Sequence, residues 1–571
     1  MDCANWYGIQ VESGKKQQAL YPAMGRKHVH YLNENRLVFN TEPRDEFRTI
    51  NYMYVVEGTQ IIQYDLFFNA VNIGDIELTG TLWFAFLSVN TSTYALLTNG
   101  INIYIIVETP GQDTTFQVCT DTNRPTRPQY VAAFGNRFVV SQMDTPLNHL
   151  TQINLGGSPP IDASKIFTIP DGGAGFALFF SSSGIVRSYA VLHSQLYIFT
   201  DFTTDIWANI ATQITVAGIT REFPWKINTS YNWDYGIADP LSLSVDFGRM
   251  VWLGKNSNGL VSFMASDGGQ PVDISTQAIN VLLENRTDID NGLSPFLRAT
   301  TDGFLYQYEN TIFYRVSAGI YENTQLLDPN TFANSIEYNF ETKTWGRVIE
   351  LNGSRCRIQK HVYFNNKHLV IVQGDPAIYE MAGNIYHNEL RNPAQPDIQA
   401  ADAFLKFPMR YELVTQQLYN EDYSEFIDDY VEIDFVFGDK TFYRSNAPFL
   451  NTTFIIKEDA APDGSPIYMV EEDGDTFIIT EDGNTPTFDD NHYNALFKPH
   501  IELYYSDDGG VSFLTADVRE FSPLGHYRWR MRWYELSISR NRCYRLVCVS
   551  SAPIVILGAV RNTRRASGGA N

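Results

Sequence analysis

A chain of 571 residues with 14% aromatic and only 19% charged side chains is an ordered, core-forming protein, long enough for two or three domains. Asp and Glu outnumber Lys and Arg by 65 to 42, and the resulting charge of −23 excludes the basic footprint of a protein wrapped around exposed nucleic acid. It leaves room for a conduit in which nucleic acid slides without adhering, because like charge on a wall repels phosphate.

The sequence opens M-D-C-A-N-W, with no basic segment leading into an apolar run, so no signal peptide is expected. No apolar stretch approaches the roughly 20 residues of a membrane helix. The five cysteines (Cys3, Cys119, Cys356, Cys543 and Cys548) are odd in number and mostly scattered, which reads as free thiols in a reducing compartment.

Short runs of Val, Ile, Tyr, Phe and Trp, broken by Gly, Asn and Asp, make strands the dominant expectation along the chain. Small polar turns between apolar strands recur at Glu57-Gly58, Asn99-Gly100, Gly135-Asn136, His193-Ser194, Asn258-Gly259, Glu309-Asn310 and Asn365-Asn366. They stand roughly 36 to 64 residues apart, near the roughly 40–50 residues of a propeller blade. Asn99-Gly100 and Asn258-Gly259 read most directly as two-residue type I′ turns, because Asn and Gly tolerate the positive φ such turns need. A stacked β-sandwich gives a similar trace, but the spacing favours an irregular β-propeller.

One helix is expected after Ser275, where Ala278, Ile279, Leu282 and Leu283 share a face behind a Ser/Thr cap. The turn rhythm stops at Asn392-Pro393-Ala394-Gln395-Pro396, which places a domain boundary there. Residues 1–395 form the propeller-like domain on this reading. Residues 396–571 form a β-rich, sandwich-like domain with strand blocks at Asp428–Phe437 and His500–Val560 and an acidic β-hairpin insertion at about 439–497. From Lys457 to Asp490 eleven acids face one lysine, in pieces around Asp463-Gly464, Asp473-Gly474 and Asp482-Gly483. From His526 to Asn571 the sign reverses, with nine arginines and one acid, Glu535.

Few of the motifs carry chemistry. Ser506-Asp507-Asp508-Gly509-Gly510-Val511-Ser512-Phe513 fits the Asp-box of sialidases, but a single copy is first of all a turn held by its own Ser and Asp side chains. His28 and His30 share a strand face without the three or four ligands a zinc site draws. Glu34 and Asp45 are the nearest candidates to complete one, and a polar contact is the better reading. Gly254 and Gly259 have the spacing of a phosphate loop, but Leu260 and Val261 stand where Lys and Ser/Thr are required. The acidic segment, with Glu471, Glu472, Asp473 and Asp475 at its centre, lacks the calcium-loop pattern and reads as a solvated or lumen-facing charge run. Arg528, Arg530 and Arg532 alternate with Trp529, Met531 and Trp533, which on a strand puts arginines on one face and an apolar stripe on the other. Bases could not use both faces at once, so these arginines are expected to pair with acids of a neighbouring subunit or partner, with DNA contact as the alternative. No catalytic residue, metal ligand or cofactor site is assigned.

The order of blocks from Ile198 to Glu284 resembles the packaged-DNA stabilization protein, or tail hub and nozzle, family of short-tailed bacteriophages. Thr203-Thr204-Asp205-Ile206-Trp207 is similar to that family's T-T-E-x-W turn. Trp252-Leu253-Gly254 and the segment Ile274-Ser275-Thr276 through Ile279 match its next elements most closely. Outside this window, Leu20 to Gly25 resembles the element that opens the family's first blade, and Tyr130 to Ser141 one of its blade hairpins. Ile336 to Trp345 resembles another blade, and Arg528 to Leu546 its closing strands. The resemblance implies a non-enzymatic virion protein of the viral tail, assembled in the host cytoplasm. It further implies a homo-hexamer below the head–tail adaptor that retains packaged double-stranded DNA and forms its ejection channel. Tail fibres or tailspikes and a needle or plug are the other implied partners. The competing expectations are a carbohydrate-active, sialidase-like propeller and a peripheral receptor-binding tail module.

Overall fold

Strand-forming runs closed by tight polar turns fold into small antiparallel sheets that then pack against one another. The structure is a computed structural model. It describes residues 2–10, 18–29, 43–151 (without 79, 90 and 136), 163–167, 179–180 and 184–284 (without 211, 217–218, 224–225 and 228–231). It also describes residues 296–299, 303–392 (without 309, 323–324 and 327–333), 403–437 (without 421), 469–470, 477–478, 500–520 and 528–566.

Seven four-stranded antiparallel units follow one another among these residues. Blade 1 holds Pro43–Arg48, Met53–Glu57, Gln60–Tyr64 and Ala70–Asp75. Blade 2 spans Trp83–Val89 to Thr115–Val118, blade 3 Pro128–Phe134 to Phe179–Phe180, and blade 4 Ser188–Leu192 to Lys226–Ile227. Blade 5 starts from the broken strand Tyr235–Ile237 and Ser244–Asp246 and ends at Val272–Asp273. Blade 6 runs from Phe304–Tyr308 to Thr344–Arg347, and blade 7 uses Ile358–Phe364, Lys367–Val372 and Ile378–Ala382.

The fourth strand of blade 7 comes from the other end of the chain. Strand β4 follows β1 (Asp2–Ala4), β2 (Trp6–Gln10) and β3 (Gln18–Pro22), spans Gly25–His28, and pairs antiparallel with Ile378–Ala382. Each seam between neighbouring blades is filled by one apolar cluster, and seven such clusters close the circle. The last of them sets Val362, Phe364 and Leu369 of blade 7 against Met53, Val55 and Tyr64 of blade 1. The seam of blades 4 and 5 shows the packing: the Trp233 and Trp252 rings stack 5.6 Å apart, and Trp252 Nε1 donates to the Gly236 carbonyl at 3.1 Å. This is a closed β-propeller, as the turn spacing predicts.

The expected helix is present at Gln277–Glu284, with Thr276 Oγ1 accepting from the Ile279 amide. Its Ile279 is buried among the apolar residues joining blades 5 and 6, and Leu283 packs beside it.

The C-terminal part is a two-sheet sandwich. One sheet orders Leu514–Glu520, His500–Ser506, Cys543–Ser550, Phe404–Val414 and β1. The other orders Arg528–Ser539, Phe426–Phe437, Ile554–Arg565, β3 and β2. Their inner faces share one core that includes Trp6, Tyr411, Phe435, Trp533 and Leu546.

Two expectations about organisation change here. Leu20 to Gly25 does not open the first blade: Leu20–Pro22 belongs to β3 of the sandwich, and Gly25 begins the closing strand of blade 7. A boundary at 395/396 therefore leaves β1 to β3 on the wrong side. The sandwich needs these strands to complete both sheets, so the chain starts there before entering the propeller.

The turns differ too. Residues 99–102 and 257–260 make longer connections, in which only Gly100 and Gly259 have positive φ (+86° and +82°). Side chains hold them instead: Asn99 Oδ1 accepts from the amides of Ile101 and Asn102, and Asn256 Oδ1 from those of Asn258 and Leu260. Among the described residues, the two-residue turns with positive φ at both positions are His193-Ser194, Phe247-Gly248 and Asn365-Asn366, each linking the first two strands of a blade.

Propeller and sandwich are stitched together rather than hinged. Ala4 of β1 pairs in parallel with Arg347 of blade 6, and Arg26 of β4 with Asn388 of the strand His387–Arg391. The Asn5 side chain donates to the carbonyls of Ile349 and Arg410, both at 2.7 Å, and accepts from the Ile349 amide at 3.1 Å. Arg26, buried, makes a two-pronged bond to Glu350 at 2.8 and 3.0 Å.

Candidate functional site: the arginine face and the central cavity

The alternation in Arg528–Ser539 resolves as expected. Met531 and Trp533 are buried in the sandwich core, while the side chains of Arg528, Arg530 and Arg532 stand outside, 57%, 59% and 47% exposed. Their acids, however, come from the same chain. The adjacent strand Phe426–Phe437 carries Glu432 and Asp434 on the same outer face, opposite Arg532 and Arg530 in register. Arg528 donates to both oxygens of Asp434 at 2.7 and 3.1 Å. Arg532 bonds Glu432 and sits 5.1 Å over the Tyr430 ring, while Arg530 lies 3.8 Å from the other Glu432 oxygen. Bonding to Asp434 and Glu432 raises the Arg528 and Arg532 guanidinium values above their ordinary range. A neighbouring subunit is thus not required to pair them, because cross-strand geometry already supplies carboxylates. The signal for this was the alternation Val431-Glu432-Ile433-Asp434-Phe435, which has the same polar parity as the arginine strand. Exposed Tyr534 and Val560 complete the face.

The acidic residues Glu471, Glu472, Asp473 and Asp475 lie outside the described residues. Flanking them, Met469–Val470 and Phe477–Ile478 pair antiparallel, as a hairpin around Asp473-Gly474 requires.

The Asp-box closes on itself. Asp508 Oδ1 accepts from the amides of Val511 and Ser512 at 3.0 Å and from Ser506 Oγ at 2.6 Å, and Ser512 Oγ donates to Oδ2. These hydroxyls and amides hold the Asp508 carboxyl well below its ordinary range. Its neighbour Asp507 takes the fully buried Arg542, Nε to Oδ1 at 2.8 Å, and Arg542 also reaches Asp428 at 3.3 Å. His28 bonds Glu389 and stacks on Phe404 at 4.0 Å, which makes it part of the packing around β4, while His30 and Glu34 lie outside the described residues. Asp45, the other candidate ligand, is paired with Lys360 at 2.9 Å. Among the described residues no group of three or more His, Cys, Asp or Glu side chains is placed to hold a metal ion.

The first strands of the blades face the ring axis. Those of blades 1, 2, 5, 6 and 7 line a central cavity of about 350 Å³, with Asp45, Glu46, Arg48, Asp246, Lys360 and His361 as its charged or titratable lining. On the blade 6 side of the wall, Arg315 is buried and held by Glu337 and the Tyr306 hydroxyl, at 2.6 and 3.1 Å from its Nη2. His361 stacks on Phe304 at 4.7 Å, and its Nε2 lies 2.9 Å from Nδ1 of His368. Sequence reading missed this cluster, because its residues come from five strands of two blades and no local motif joins them.

No known family model and no curated protein matches the chain. Solved structures similar to it include the WD40 domain of Neurospora crassa Pan2, at 7% identity over 60% of this chain and 89% of that one, with a TM-score of 0.32. The WD40 β-propeller domain of Doa1 is similar at 10% identity over 63% and 96%, with a TM-score of 0.31. The computationally designed Ika8 protein is similar at 10% identity over 60% and 97%, also with a TM-score of 0.31.

Proposed function

We propose that this chain is a structural virion protein, the nozzle or hub of a short viral tail. In this reading it sits beneath the head–tail adaptor, retains packaged DNA and forms the channel through which that DNA leaves. The observation that carries the proposal is the ordered resemblance from Ile198 to Glu284 to the tail hub family of short-tailed bacteriophages. The fold is consistent with it in one respect that composition could not supply. A part that holds DNA under pressure needs a body without a hinge, and here β1 to β4 run through both the propeller and the sandwich.

The proposed assembly is a homo-hexamer carrying fibres or tailspikes and a needle or plug. Six copies would bring six times the −23 of one chain to a ring around the channel. Where those acids face the lumen, including Glu471, Glu472, Asp473 and Asp475, phosphate meets repulsion and slides. The arginine face, whose three guanidiniums share the carboxylates of Glu432 and Asp434 within the chain, is assigned to subunit contact rather than to DNA.

Electron microscopy of purified particles, reconstructed without imposed symmetry, tests the proposal. An axial sixfold ring beneath a twelvefold adaptor is the expected result. A peripheral trimer, or absence of the chain from the particle, overturns it.

A further inference from the structure

The connection from Phe404–Val414 to Phe426–Phe437 crosses from one sheet of the sandwich to the other and carries two exposed tyrosines that the nozzle reading does not use. Tyr419 is 50% and Tyr423 67% exposed, and their rings lie 5.0 Å apart and 10° from parallel. Stacking covers one face of each ring, and the exposure of both leaves flat apolar surface open to water.

Both rings are held from below. Leu418, next to Tyr419, pairs with Arg542 through two backbone bonds of 2.7 and 2.9 Å, and Gln417 Nε2 donates to the Gly509 carbonyl of the Asp-box at 3.3 Å. Arg542 is in turn held by Asp428 and Asp507, at 3.3 and 2.8 Å, so Tyr419 stands beside a buried ion-pair network. Tyr423 has a φ of +55°, in the left-handed region that a bulky side chain enters only at a cost. Its amide donates to the Asn420 carbonyl at 2.9 Å, and Asp422 Oδ1 accepts from the Ser424 amide and hydroxyl at 3.1 and 2.6 Å. Backbone strain is thus maintained to hold an apolar ring in water. Folding alone does not reward that, whereas a ligand stacked on the ring does.

The rim decides the chemistry of the ligand. Arg565 pairs with Asp422, and its Nε donates to Ser424 Oγ at 3.3 Å; Arg540 pairs with Glu425 at 3.1 Å. Each of these cations has its own carboxylate, so the rim has no surplus positive charge with which to hold a phosphate chain. Both pairs are open to water, with side chains 46% to 73% exposed, and keep N–H donors and carboxylate lone pairs beyond those already used. A flat apolar surface with donors and acceptors side by side at its edge matches a sugar ring. The C–H groups of one sugar face lie against the aromatic ring, and vicinal hydroxyls accept from guanidinium and donate to carboxylate.

We propose that Tyr419 and Tyr423 form a binding platform for a neutral glycan, whose pyranose rings stack on the tyrosine pair and hydrogen-bond the Asp422–Arg565 and Glu425–Arg540 pairs at its rim. The platform lies on the sandwich, away from the central cavity, and does not depend on the nozzle reading.

Saturation-transfer NMR of the full chain tests it, with oligosaccharides of glucose, galactose, mannose and N-acetylglucosamine each offered at about 1 mM. At least one of these is expected to receive saturation, strongest at its ring C–H protons. Tyr423→Ala and Tyr419→Ala should each weaken that binding at least about tenfold, whereas Tyr423→Trp, which keeps an aromatic face, should retain it. Phe67→Ala removes a ring that is 78% exposed on blade 1 and should leave binding unchanged. Oligothymidylate, offered separately, should show no binding that depends on Tyr423. The platform is overturned by absence of saturation in all four sugars, by equal binding in the wild type and both alanine variants, or by oligothymidylate binding that is lost in Tyr423→Ala.

Discussion

The buried arginine of the sandwich gives the most decisive test of how this part of the molecule holds together. Arg542 is fully buried and satisfies groups from three segments. Nη1 donates to the Leu536 carbonyl at 2.8 Å and to Asp428 at 3.3 Å, Nη2 to Ser537 Oγ at 2.9 Å, and Nε to Asp507 at 2.8 Å. Asp428 is equally buried, and burial pushes its carboxyl above the ordinary range although Tyr544, Arg561 and Arg542 all pull it down. Replacing Arg542 by Ala removes one partner of a buried pair and leaves the Asp428 carboxylate with only Arg561, 3.5 Å away, as a cation, a loss of up to about 3–5 kcal/mol. Urea unfolding followed by tryptophan fluorescence would measure it, since Trp533 and Trp6 lie in this core and Trp529 packs against it. Arg528→Ala is the control: its guanidinium is ion-paired but exposed, and its midpoint should coincide with that of the wild type. Asp428→Asn combined with Arg542→Ala should recover part of the loss, because no uncompensated carboxylate remains. A loss below about 1 kcal/mol for Arg542→Ala, or one no larger than that of the control, would refute the reasoning.

Three other outcomes follow from the same geometry. A Cβ on Gly25 would lie 2.4 Å from the His387 carbonyl oxygen and 2.6 Å from that of Ile385, so Gly25→Ala should displace the strand closing blade 7 and cost about 1–3 kcal/mol; an unchanged melting temperature would contradict this. Burial alone would raise the Glu389 carboxyl, but hydrogen bonds from His28 and His387 overcome it and hold the group well below its ordinary 4.5. A depressed folded-state value means that stability is fully present above about pH 4.5 and drains away as pH falls through the folded value, so Glu389→Gln should flatten the acid limb of a stability–pH curve. Replacing Arg528, Arg530 and Arg532 together by Gln should leave the isolated chain folded, as circular dichroism would show, while abolishing ring assembly in particles if this face is the subunit contact; normal assembly would remove that assignment.

The sequence disclosed the propeller through its turns, and the physical reason is local. Gly135-Asn136, His193-Ser194, Glu309-Asn310 and Asn365-Asn366 all join the first and second strands of a blade, so their spacing is that of the blades themselves. The two Asn-Gly pairs belong instead to the second connection of blades 2 and 5, where an asparagine side chain replaces backbone pairing and lengthens the loop. Helix Gln277–Glu284 was legible for the same local reason, a cap followed by an apolar face.

What the sequence hid is everything that depends on distant strands. Nothing in Gly25-Arg26-Lys27-His28 announces a partner strand at Ile378–Ala382, because closing a ring is a property of the whole circle and not of either segment. The arginine face shows the intermediate case. Its alternation placed Arg528, Arg530 and Arg532 on one side correctly, yet the identity of their partners depended on which strand lies beside them. That neighbour, Phe426–Phe437, carries Glu432 and Asp434 at matching parity, so two of the three charges are neutralised where they arise. A charge ladder read from one strand therefore predicts an interface only after the adjacent strand is known, and here the adjacent strand moves the argument for assembly away from unpaired charge. It rests instead on Tyr534 and Val560 of the same face, which are exposed among the described residues.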